Sequence, residues 1–413
     1  MEKVRGVWIT NVDSDVLDSK QNITEAMKLL SDTGFNYVFP VVWNKGYTLY
    51  PSSRMQKDFR SEIDPKFRGR DPLAEVIDAA RPLGLKVIPW FEFGFAASYE
   101  QNGGYILAEK PDWAAKDQQG RLLKKNGFEW MNAFHPDVQN FMLDLFLEVA
   151  QGYDIDGVQG DDRLPALPSE GGYDSFTRSL HHAELGTDPP SNTQDKGWLK
   201  WRANLLTNFL ARLRKSIKAV NPALMISIAP SPYPFGYKEY LQDVPAWLNN
   251  QLVDLLHPQL YRRDLAAYQG LVDDLVDRFP DHLPLISPGI LTKLGSYTID
   301  PVMLWRCIQQ DRFAGLRGEV LFFYEGLRAN HGSVATHLQT RKYQDYVILL
   351  RGHQGEDVEA IQRQLTAKGF ELGRTDGDFG PRTEEAVKAF QSANDLDPID
   401  GIVGPQTLKV LFA

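Results

Sequence analysis

Short apolar runs alternate with longer amphipathic stretches over the first 330 residues of the chain. The short runs are rich in β-branched and aromatic residues and have the length of buried strands. The longer stretches repeat apolar positions every three or four residues and begin with helix-start signals. At Asp71-Pro72, for example, an N-cap residue precedes a proline in the first turn. Eight runs are predicted as strands: 4–10, 37–42, 86–91, 157–160, 224–229, 255–260, 284–287 and 320–324.

Eight strands that alternate with helices over about 320 residues are typical of a (β/α)8 barrel. A doubly wound sheet is the main alternative. No Gly-x-Gly-x-x-Gly turn follows the first strand, which weakens the dinucleotide-binding version of that alternative. In a barrel the catalytic side chains lie where the strands end and the following loops begin. The residues just after each run are therefore the candidates for a site.

Acidic residues follow three of the predicted strands. Glu92 follows the third strand, Asp161 and Asp162 follow the fourth, and Glu325 follows the eighth. Glycoside hydrolysis needs one carboxylic acid that protonates the leaving oxygen and a second carboxylate that acts as nucleophile or as base for water. We therefore predict these four residues as the candidate catalytic group.

Each of these candidates also has a structural interpretation. The acidic pair after the fourth strand could form an ion pair with Arg163, and Glu325 could pair with Arg328 three residues later. Glu92 is the favoured acid, because Phe91 and Phe93 flank it and an apolar surrounding holds the proton of a carboxyl near neutral pH.

Aromatic, amide and imidazole side chains also follow the strands, and such residues could bind a sugar. Flat rings stack on pyranose rings, and amide or imidazole groups bind hydroxyls. His257 and Gln259 share one face of the sixth strand, although a core histidine explains His257 equally well. The predicted substrate-binding residues are Trp43, Asn44, Tyr47, Tyr50, Asn132, Gln159, Tyr233, His257, Gln259 and Tyr261.

Composition and charge exclude several classes of protein. The 413 residues include 43% hydrophobic and 24% charged residues, which is typical of a folded chain, and the net charge of −9 leaves no basic surface for nucleic acid. No apolar run reaches the roughly 18 residues of a membrane helix. The single cysteine, Cys307, allows no internal disulfide. We see no metal-ligand spacing of the His-x-x-x-His kind and expect neither a metal nor an organic cofactor.

Several motifs together resemble the glycosyl hydrolase-like 10 family over residues 3–330. They are Arg5-Gly6-Val7-Trp8, Tyr47-Thr48-Leu49-Tyr50-Pro51, Trp90-Phe91-Glu92-Phe93-Gly94, Asn132-Ala133-Phe134-His135-Pro136 and Asp156-Gly157-Val158-Gln159-Gly160-Asp161-Asp162. The resemblance implies a TIM-barrel glycosidase, and some bacterial members of the family act in the envelope on peptidoglycan strands stripped of peptides. The family usually has Phe before the acidic pair and an aromatic residue or His after it, whereas this chain has Gly160 and Arg163.

The fourth-strand motif also resembles the pattern of α-amylase-type and α-galactosidase-type barrels, where its acid is the nucleophile. That analogy implies that Asp161 is the nucleophile or stabiliser. The fifth strand lacks the carboxylate that those enzymes use as acid. The acid would then be Glu92, which we favour, or Glu325 or Asp162.

A separate domain is predicted at the C-terminus. Two similar segments, 376–383 and 400–407, repeat at a spacing of 24 residues, and each places an Asp-Gly turn before a proline that starts a helix. Three short helices are predicted. The pattern resembles the type 1 peptidoglycan-binding domain over about residues 346–412, and the repeated Asp and Gly residues are predicted to build turns rather than to contact ligand. The predicted division is a barrel at 1–330, a polar linker at 331–344 and an all-α module at 345–413.

Together these features predict a cell-wall glycosidase. The expected substrate is peptidoglycan glycan or its fragments, and the expected location is the cell envelope, with a signal peptide removed or absent from this chain. A glycosidase of another envelope or extracellular polysaccharide is one alternative. A catalytically silent glycan-binding scaffold is another, and it predicts that the carboxylates do not converge.

Overall fold

A computed structural model describes residues 2–340, 343 and 349–411. Within residues 2–340, eight parallel strands close a barrel, as predicted. The strands are β1 (Val4–Ile9), β2 (Tyr37–Pro40), β3 in two parts (Lys86–Val87 and Trp90–Phe91), β4 (Gly157–Gly160), β5 (Met225–Ile228), β6 (Leu255–Leu256), β7 (Gly289–Leu291) and β8 (Gly318–Phe322).

Each strand pairs with the next along the chain, and β8 returns to β1 through Val4 and Gly318. The join between β6 and β7 is the weakest part of the ring, since two isolated bridges make it, Leu256 to Ile286 and Gln259 to Gly289. Because all the strands are parallel, their carboxyl ends meet at one face of the barrel.

One or two α-helices follow each strand; the additional ones are Ser53–Phe59, Gly104–Glu109, Ser175–Leu185 and Phe235–Tyr240. Several begin at a side-chain cap, and Asp71 accepts a hydrogen bond from the Ala74 amide as the sequence predicts. The other helices are α1 (Lys20–Thr33), α2 (Pro72–Ala80), α3 (Pro136–Gly152), α4 (Lys196–Val220), α5 (Val244–Asn249), α6 (Leu265–Arg278), α7 (Pro301–Phe313) and α8 (Glu325–Thr340).

The seventh strand differs from the prediction. The first half of the predicted run 284–287 lies in a 3-10 turn, Pro280–Leu285, and β7 begins only at Gly289. Pro284 and Pro288 have no N–H to donate to a neighbouring strand, so Ile286 alone forms a bridge in this stretch. Strand pairing in this run is therefore limited to its second half, where the Ser287 amide donates to the Leu256 oxygen at 2.9 Å.

The predicted linker is helical over its first part. Helix α8 leaves helical backbone angles at residues 329–332 and then continues to Thr340, with Val334 and Leu338 buried in the barrel core. Tyr343 is also buried, and its hydroxyl donates to Glu319 at 2.6 Å. Residues 341, 342 and 344 of the linker lie outside the described residues, as do 345–348. The barrel thus extends past the predicted boundary at 330. The mostly polar composition of this segment obscured the apolar pair Val334 and Leu338, which lie four residues apart on one face of the helix.

Within residues 349–411 the C-terminal module has its own core and three helices. The helices are α9 (Glu356–Ala367), α10 (Pro381–Ala393) and α11 (Pro405–Leu411). Buried apolar residues from all three meet in one cluster, with Ile361, Phe390 and Leu411 as examples. The module therefore matches the predicted three-helix domain.

Two buried glutamines hold the repeated Asp-Gly turns in the same way. Gln362 donates to Asp376 Oδ1 at 3.0 Å and accepts from the Gly377 amide at 2.8 Å. Gln391 does the same with Asp400 at 3.1 Å and with the Gly401 amide at 2.9 Å. The repeat is thus a repeat of structure. The aspartates and glycines build turns and hold backbone geometry, as their residue types predict.

Replacing Gln391 should loosen the second turn. In Gln391→Ala the Gly401 amide loses its acceptor inside the module, and we expect a loss of about 2 kcal/mol in the free energy of unfolding of the module. Hydrogen exchange of peptides from residues 349–411 in the full chain measures this as faster exchange. Gln406→Ala, an exposed glutamine of the same repeat, is the matched control. Equal protection in the two variants would contradict the assigned role.

Candidate active site

Glu92 lies directly after β3, at the carboxyl-end face of the barrel. Its Oε2 accepts a hydrogen bond from Asn44 Nδ2 at 2.6 Å and another from Thr10 Oγ1 at 3.2 Å. Thr10 follows β1, and Asn44 stands in a hairpin that follows β2. Burial raises the pKa of Glu92 above its ordinary value, although the charge of Arg163 and the two donors act in the opposite direction.

Asp161 follows β4 and is 2% exposed. Its Oδ1 accepts from Gln259 Nε2 at 2.8 Å, and its Oδ2 accepts from Arg163 Nη2 at 2.7 Å. Burial, followed by the charge of Asp162, raises the pKa of Asp161 well above its ordinary value, and Arg163 opposes this. Both oxygens of this carboxylate are therefore engaged by donors.

Arg163 joins the three carboxyl-bearing residues. Its Nε donates to the backbone oxygen of Glu92 at 2.9 Å, and its Nη1 lies 2.9 Å from Asp162 Oδ1 in an ion pair. Together with the bond to Asp161, one guanidinium thus contacts Glu92, Asp161 and Asp162. From the sequence, Arg163 is predicted only as a pairing partner and as a departure from the family motif. Its place directly after two acids was the signal that it belongs to the site.

Gly94 allows the loops after β3 and β4 to touch, and Gly160 allows the loop after β4 to fold back closely on its own strand. Gly94 has a φ of +48°, and a Cβ there would lie 2.3 Å from the Arg163 backbone oxygen, which accepts from the Phe95 amide at 2.9 Å. At Gly160 a Cβ would lie 2.5 Å from the backbone oxygen of Leu164. The Phe that the family usually has at this position has no room here, which explains one of the two departures in the motif.

Glu325 stands apart from this group. Its Oε1 accepts from Ser14 Oγ at 2.9 Å and lies 3.3 Å from Arg328 Nη1, which also pairs with Asp15. Among the described residues no hydrogen bond or ion pair joins Glu325 to Glu92 or Asp161. The geometry favours the structural interpretation, in which Glu325 ties the loop after β1 to the start of α8.

Three of the predicted binding residues lie with the carboxylates. Asn44 contacts Glu92 and Gln259 contacts Asp161, as described above. Tyr261 is partly buried and stacks on Phe322 at 4.9 Å. Burial raises the pKa of its hydroxyl, and the charges of Asp161 and Asp162 add to this, which places the ring near both acids.

Two other predicted binding residues lie inside the barrel. Gln159 is fully buried, accepts from Trp8 Nε1 at 2.6 Å and donates to Ser227 Oγ at 2.8 Å. His257 is also fully buried, and its Nδ1 lies 2.8 Å from the Ser287 backbone oxygen. Burial lowers the pKa of His257 to about 3, so its ring is neutral at physiological pH. Both residues pack the barrel interior.

The remaining predicted binding residues support the fold around the site. The Trp43 indole donates to the Gly94 oxygen at 2.9 Å, and the Tyr50 hydroxyl to the Leu145 oxygen in α3 at 3.1 Å. Asn132 Nδ2 donates to Thr177 at 3.1 Å. Tyr47 and Tyr233 make ring contacts. The Tyr47 ring centroid lies 4.6 Å from that of Tyr105, and the Tyr233 ring centroid lies 6.1 Å from that of Phe279. Trp43 and Tyr50 are fully buried, so neither offers a face to a sugar.

Phe91 does not surround the Glu92 carboxyl, contrary to the prediction from the sequence. Side chains alternate along a strand, so Phe91 and Glu92 face opposite sides of β3. The Phe91 ring stacks on Phe146 of α3 with 3.7 Å between ring centroids, and it belongs to the packing between barrel and helix. Phe93 lies nearer the site, with its ring 5.6 Å from the Arg163 guanidinium. Glu92 is desolvated by the surrounding protein and not by Phe91.

Two searches of the described residues were negative. No group of three or more His, Cys, Asp or Glu side chains in this part of the chain has an arrangement that could hold a metal ion. None of the helices in the described ranges combines the length and apolar character needed to cross a membrane.

A closed (β/α)8 barrel with acids grouped at the carboxyl ends of its strands defines the class of TIM-barrel glycosidase folds. Residues 3–305 match the model of the family Glycosyl hydrolase-like 10, and the chain belongs to this family. Residues 354–411 match a second model, described as "Putative peptidoglycan binding domain". Both matches agree with the resemblances in the sequence.

Known proteins resemble the two parts separately. Glycosyl hydrolase DigH of Escherichia coli (strain K12) is 25% identical over 295 residues, which is 65% of this chain and 64% of DigH, so the chain spans less than two thirds of that relative. N-acetylmuramoyl-L-alanine amidase CwlL of Bacillus licheniformis is 43% identical over 68 residues, 16% of this chain and 19% of CwlL.

A solved structure is similar to the barrel. The PgaB (BpsB) glycoside hydrolase domain from Bordetella bronchiseptica superposes with a TM-score of 0.62 at 15% identity and covers 82% of this chain and 98% of its own. At this identity the likeness shows the shared fold.

The raised pKa of Asp161 has a consequence for stability. A carboxyl whose pKa is higher in the folded than in the unfolded chain stabilises the fold at low pH, and this contribution is lost as pH rises through the folded pKa. Asp161→Asn should therefore be more stable than the parent at pH 7, by about 1 kcal/mol. The difference should shrink as pH falls toward about 3.9, the ordinary aspartate value.

Urea unfolding at a series of pH values measures this difference. Asp281→Asn, at an exposed carboxylate, is the control and should change stability little at any pH. A less stable Asp161→Asn at pH 7 would mean that the ion pair with Arg163 outweighs the cost of burying the charge.

Proposed function

We propose that the barrel is a glycoside hydrolase that cleaves the glycan of the bacterial cell wall, and that the C-terminal module holds it on that polymer. The observation that carries this proposal is that one guanidinium, at the carboxyl-end face of the barrel, binds the carboxylates of Asp161 and Asp162 and the backbone oxygen of Glu92. A silent scaffold has no need for buried acids in such an arrangement, because burying them costs stability.

Glu92 is the proposed general acid, with its proton on Oε1. Three carboxyl groups around one cation repel one another, so the group as a whole holds a proton to higher pH than a single carboxyl would. Both oxygens of Asp161 accept from fixed donors, whereas the two donors to Glu92 contact only its Oε2. The charge of Asp162 further raises the pKa of Glu92. Oε1 can therefore give its proton to the leaving glycosidic oxygen.

Asp161 is the proposed nucleophile or charge stabiliser. Its ionised form accepts both existing hydrogen bonds, from Gln259 and from Arg163, and these hold the carboxylate in one orientation. A negative charge there supports the positive charge that develops at the anomeric carbon as the glycosidic bond breaks. Asp162, whose side chain is 24% exposed, adds negative charge beside Glu92 in this scheme.

The substrate class rests on the second domain. A module that matches a peptidoglycan-binding family stands on the same chain as the barrel, and the relative CwlL, which is similar to that module, is by name an amidase of N-acetylmuramoyl-L-alanine. A tethered binding module raises the local concentration of its polymer around the barrel. The proposed location is accordingly the cell envelope or the extracellular side of the wall.

Loss of either proposed catalytic carboxyl should stop hydrolysis and leave wall binding intact. Glu92→Gln removes the acid proton and Asp161→Asn the negative charge, and each should lower turnover at least about a hundredfold. Purified sacculi, intact and stripped of peptides by an amidase, are digested, and the released products are identified by mass. Glu325→Gln, at the acid ion-paired with Arg328, is the matched control and should retain turnover within about threefold.

Unchanged turnover in both Glu92→Gln and Asp161→Asn would contradict the assignment. If the parent cleaves another polysaccharide but neither form of sacculus, the proposed glycosidase activity is supported and the proposed cell-wall substrate is wrong.

Removal of the module should separate binding from chemistry. A chain that lacks residues 345–413 retains the barrel core, so we expect weaker binding to sacculi and unchanged hydrolysis of small soluble glycans. Sedimentation with sacculi measures binding, and release of reducing ends measures hydrolysis. Loss of both would indicate that the module supports the fold of the barrel instead.

A further inference from the structure

A hairpin in the loop after β3 brings an aromatic ring onto Arg163. Its two strands, Lys124–Lys125 and Phe128–Trp130, are joined by Asn126 and Gly127, with φ of +51° and +84°. Positive φ at both positions is the type I′ turn that Asn-Gly favours. Phe128 stands at the end of this turn, with its ring centroid 4.5 Å from the Arg163 guanidinium.

Tyr99 lies beside Phe128 on the neighbouring strand and is open to solvent. The two rings are 5.1 Å apart, and 43% of Tyr99 is exposed. A Cβ at position 127 would lie 2.5 Å from Tyr99 Cε2, so the ring packs over the turn only because Gly127 has no side chain. One face of Tyr99 is thus supported by the hairpin.

Two further aromatic residues adjoin the hairpin from the loop after β5. Asn126 Nδ2 donates to the Tyr240 hydroxyl at 3.0 Å, and Phe235 lies 6.1 Å from Tyr240 with 54% of its surface exposed. The same loop contacts the acids, because Gln242 Nε2 donates to the backbone oxygen of Asp162 at 3.2 Å. Burial raises the pKa of Tyr240, and the nearby charge of Asp162 adds to this.

These four residues, Tyr99, Phe128, Phe235 and Tyr240, form what we call the aromatic shelf. Phe128 and Tyr240 are its covered base, while Tyr99 and Phe235 are its exposed outer rings. Exposed aromatic rings that are grouped beside a polar site are typical of a surface that binds a ligand. The shelf begins at Arg163 and extends outward from the acids, so a polymer bound at the acids would continue over it.

We propose that the aromatic shelf binds sugar rings of the same glycan chain beyond the bond that is cleaved, so that the barrel acts within long strands rather than on disaccharides. The inference rests on the proposed glycosidase function. Pyranose rings have flat C–H faces that pack on aromatic rings and hydroxyl edges that bind polar groups. Asn126, which is exposed at the tip of the hairpin, supplies such a polar group beside the rings. Neither outer ring belongs to the buried core, since about half of each is exposed.

The test compares substrates of different length in the full chain. Tyr99→Ala, Phe235→Ala and the double variant are assayed on peptide-free tetrasaccharides and on long peptide-free strands of the same wall glycan. We expect kcat/KM on long strands to fall about tenfold in the double variant, through KM, and the value for tetrasaccharides to stay unchanged. Leu83→Ala, at another exposed apolar residue, is the control and should change neither value.

Equal losses on both substrates, or no loss on either, would overturn the proposal. A local binding measurement separates it from failure of the function. Long strands added to the full chain with Asp161→Asn should slow hydrogen exchange in peptides that cover 96–99 and 235–240, and the double variant should abolish this. If the parent cleaves no wall glycan but long strands still slow this exchange, the proposed hydrolysis is rejected and glycan binding by the shelf is supported. If a protein slows exchange in these peptides and no glycan does, the shelf binds a protein and the proposed glycan ligand is wrong.

Discussion

The candidate site depends on the contacts that the Arg163 guanidinium makes with the residues around it. Without it, Asp161 and Asp162 would be adjacent buried acids with no counter-charge, and such a pair is costly to bury. Its bond to the Glu92 backbone oxygen also fixes the distance between the loops after β3 and β4. Gly94 makes the same approach possible by having no side chain where the two loops meet.

In the proposed mechanism, this arrangement gives chemically similar groups different protonation states. Burial raises the pKa values of both Glu92 and Asp161, but the donors around them differ in geometry. Both oxygens of Asp161 accept from N–H groups, which donate hydrogen bonds and cannot accept them. Side-chain donors contact only one oxygen of Glu92. The proposed mechanism thus distinguishes the acid from the other carboxylate by where the hydrogen-bond donors stand, which is a general way to use two carboxyls in different roles.

Much of this was predictable from the sequence, and the failures have physical causes. The strand pattern located Glu92 and the Asp161-Asp162 pair, because barrel chemistry follows strand ends. Residue type alone could not tell a buried aromatic from an exposed one, so Trp43 and Tyr50 were predicted to bind sugar although they are fully covered. The exposed rings Tyr99 and Phe235 stand in a hairpin and a short loop helix, outside the strand ends. Glu325 fitted the pattern equally well, and only its contact with Ser14 and Arg328 separates it from the other acids.

The central claim is that the three-carboxyl group holds its proton on Glu92. Infrared difference spectra of the parent and its single variants, recorded near pH 6, report the C=O band of protonated carboxyl groups, and buried acids elsewhere cancel in the difference. The account predicts a protonated-carboxyl band in the parent that disappears in Glu92→Gln and persists in a chain with Asp162→Asn. A band that persists in Glu92→Gln and disappears in Asp161→Asn would contradict it and would exchange the roles of the two residues.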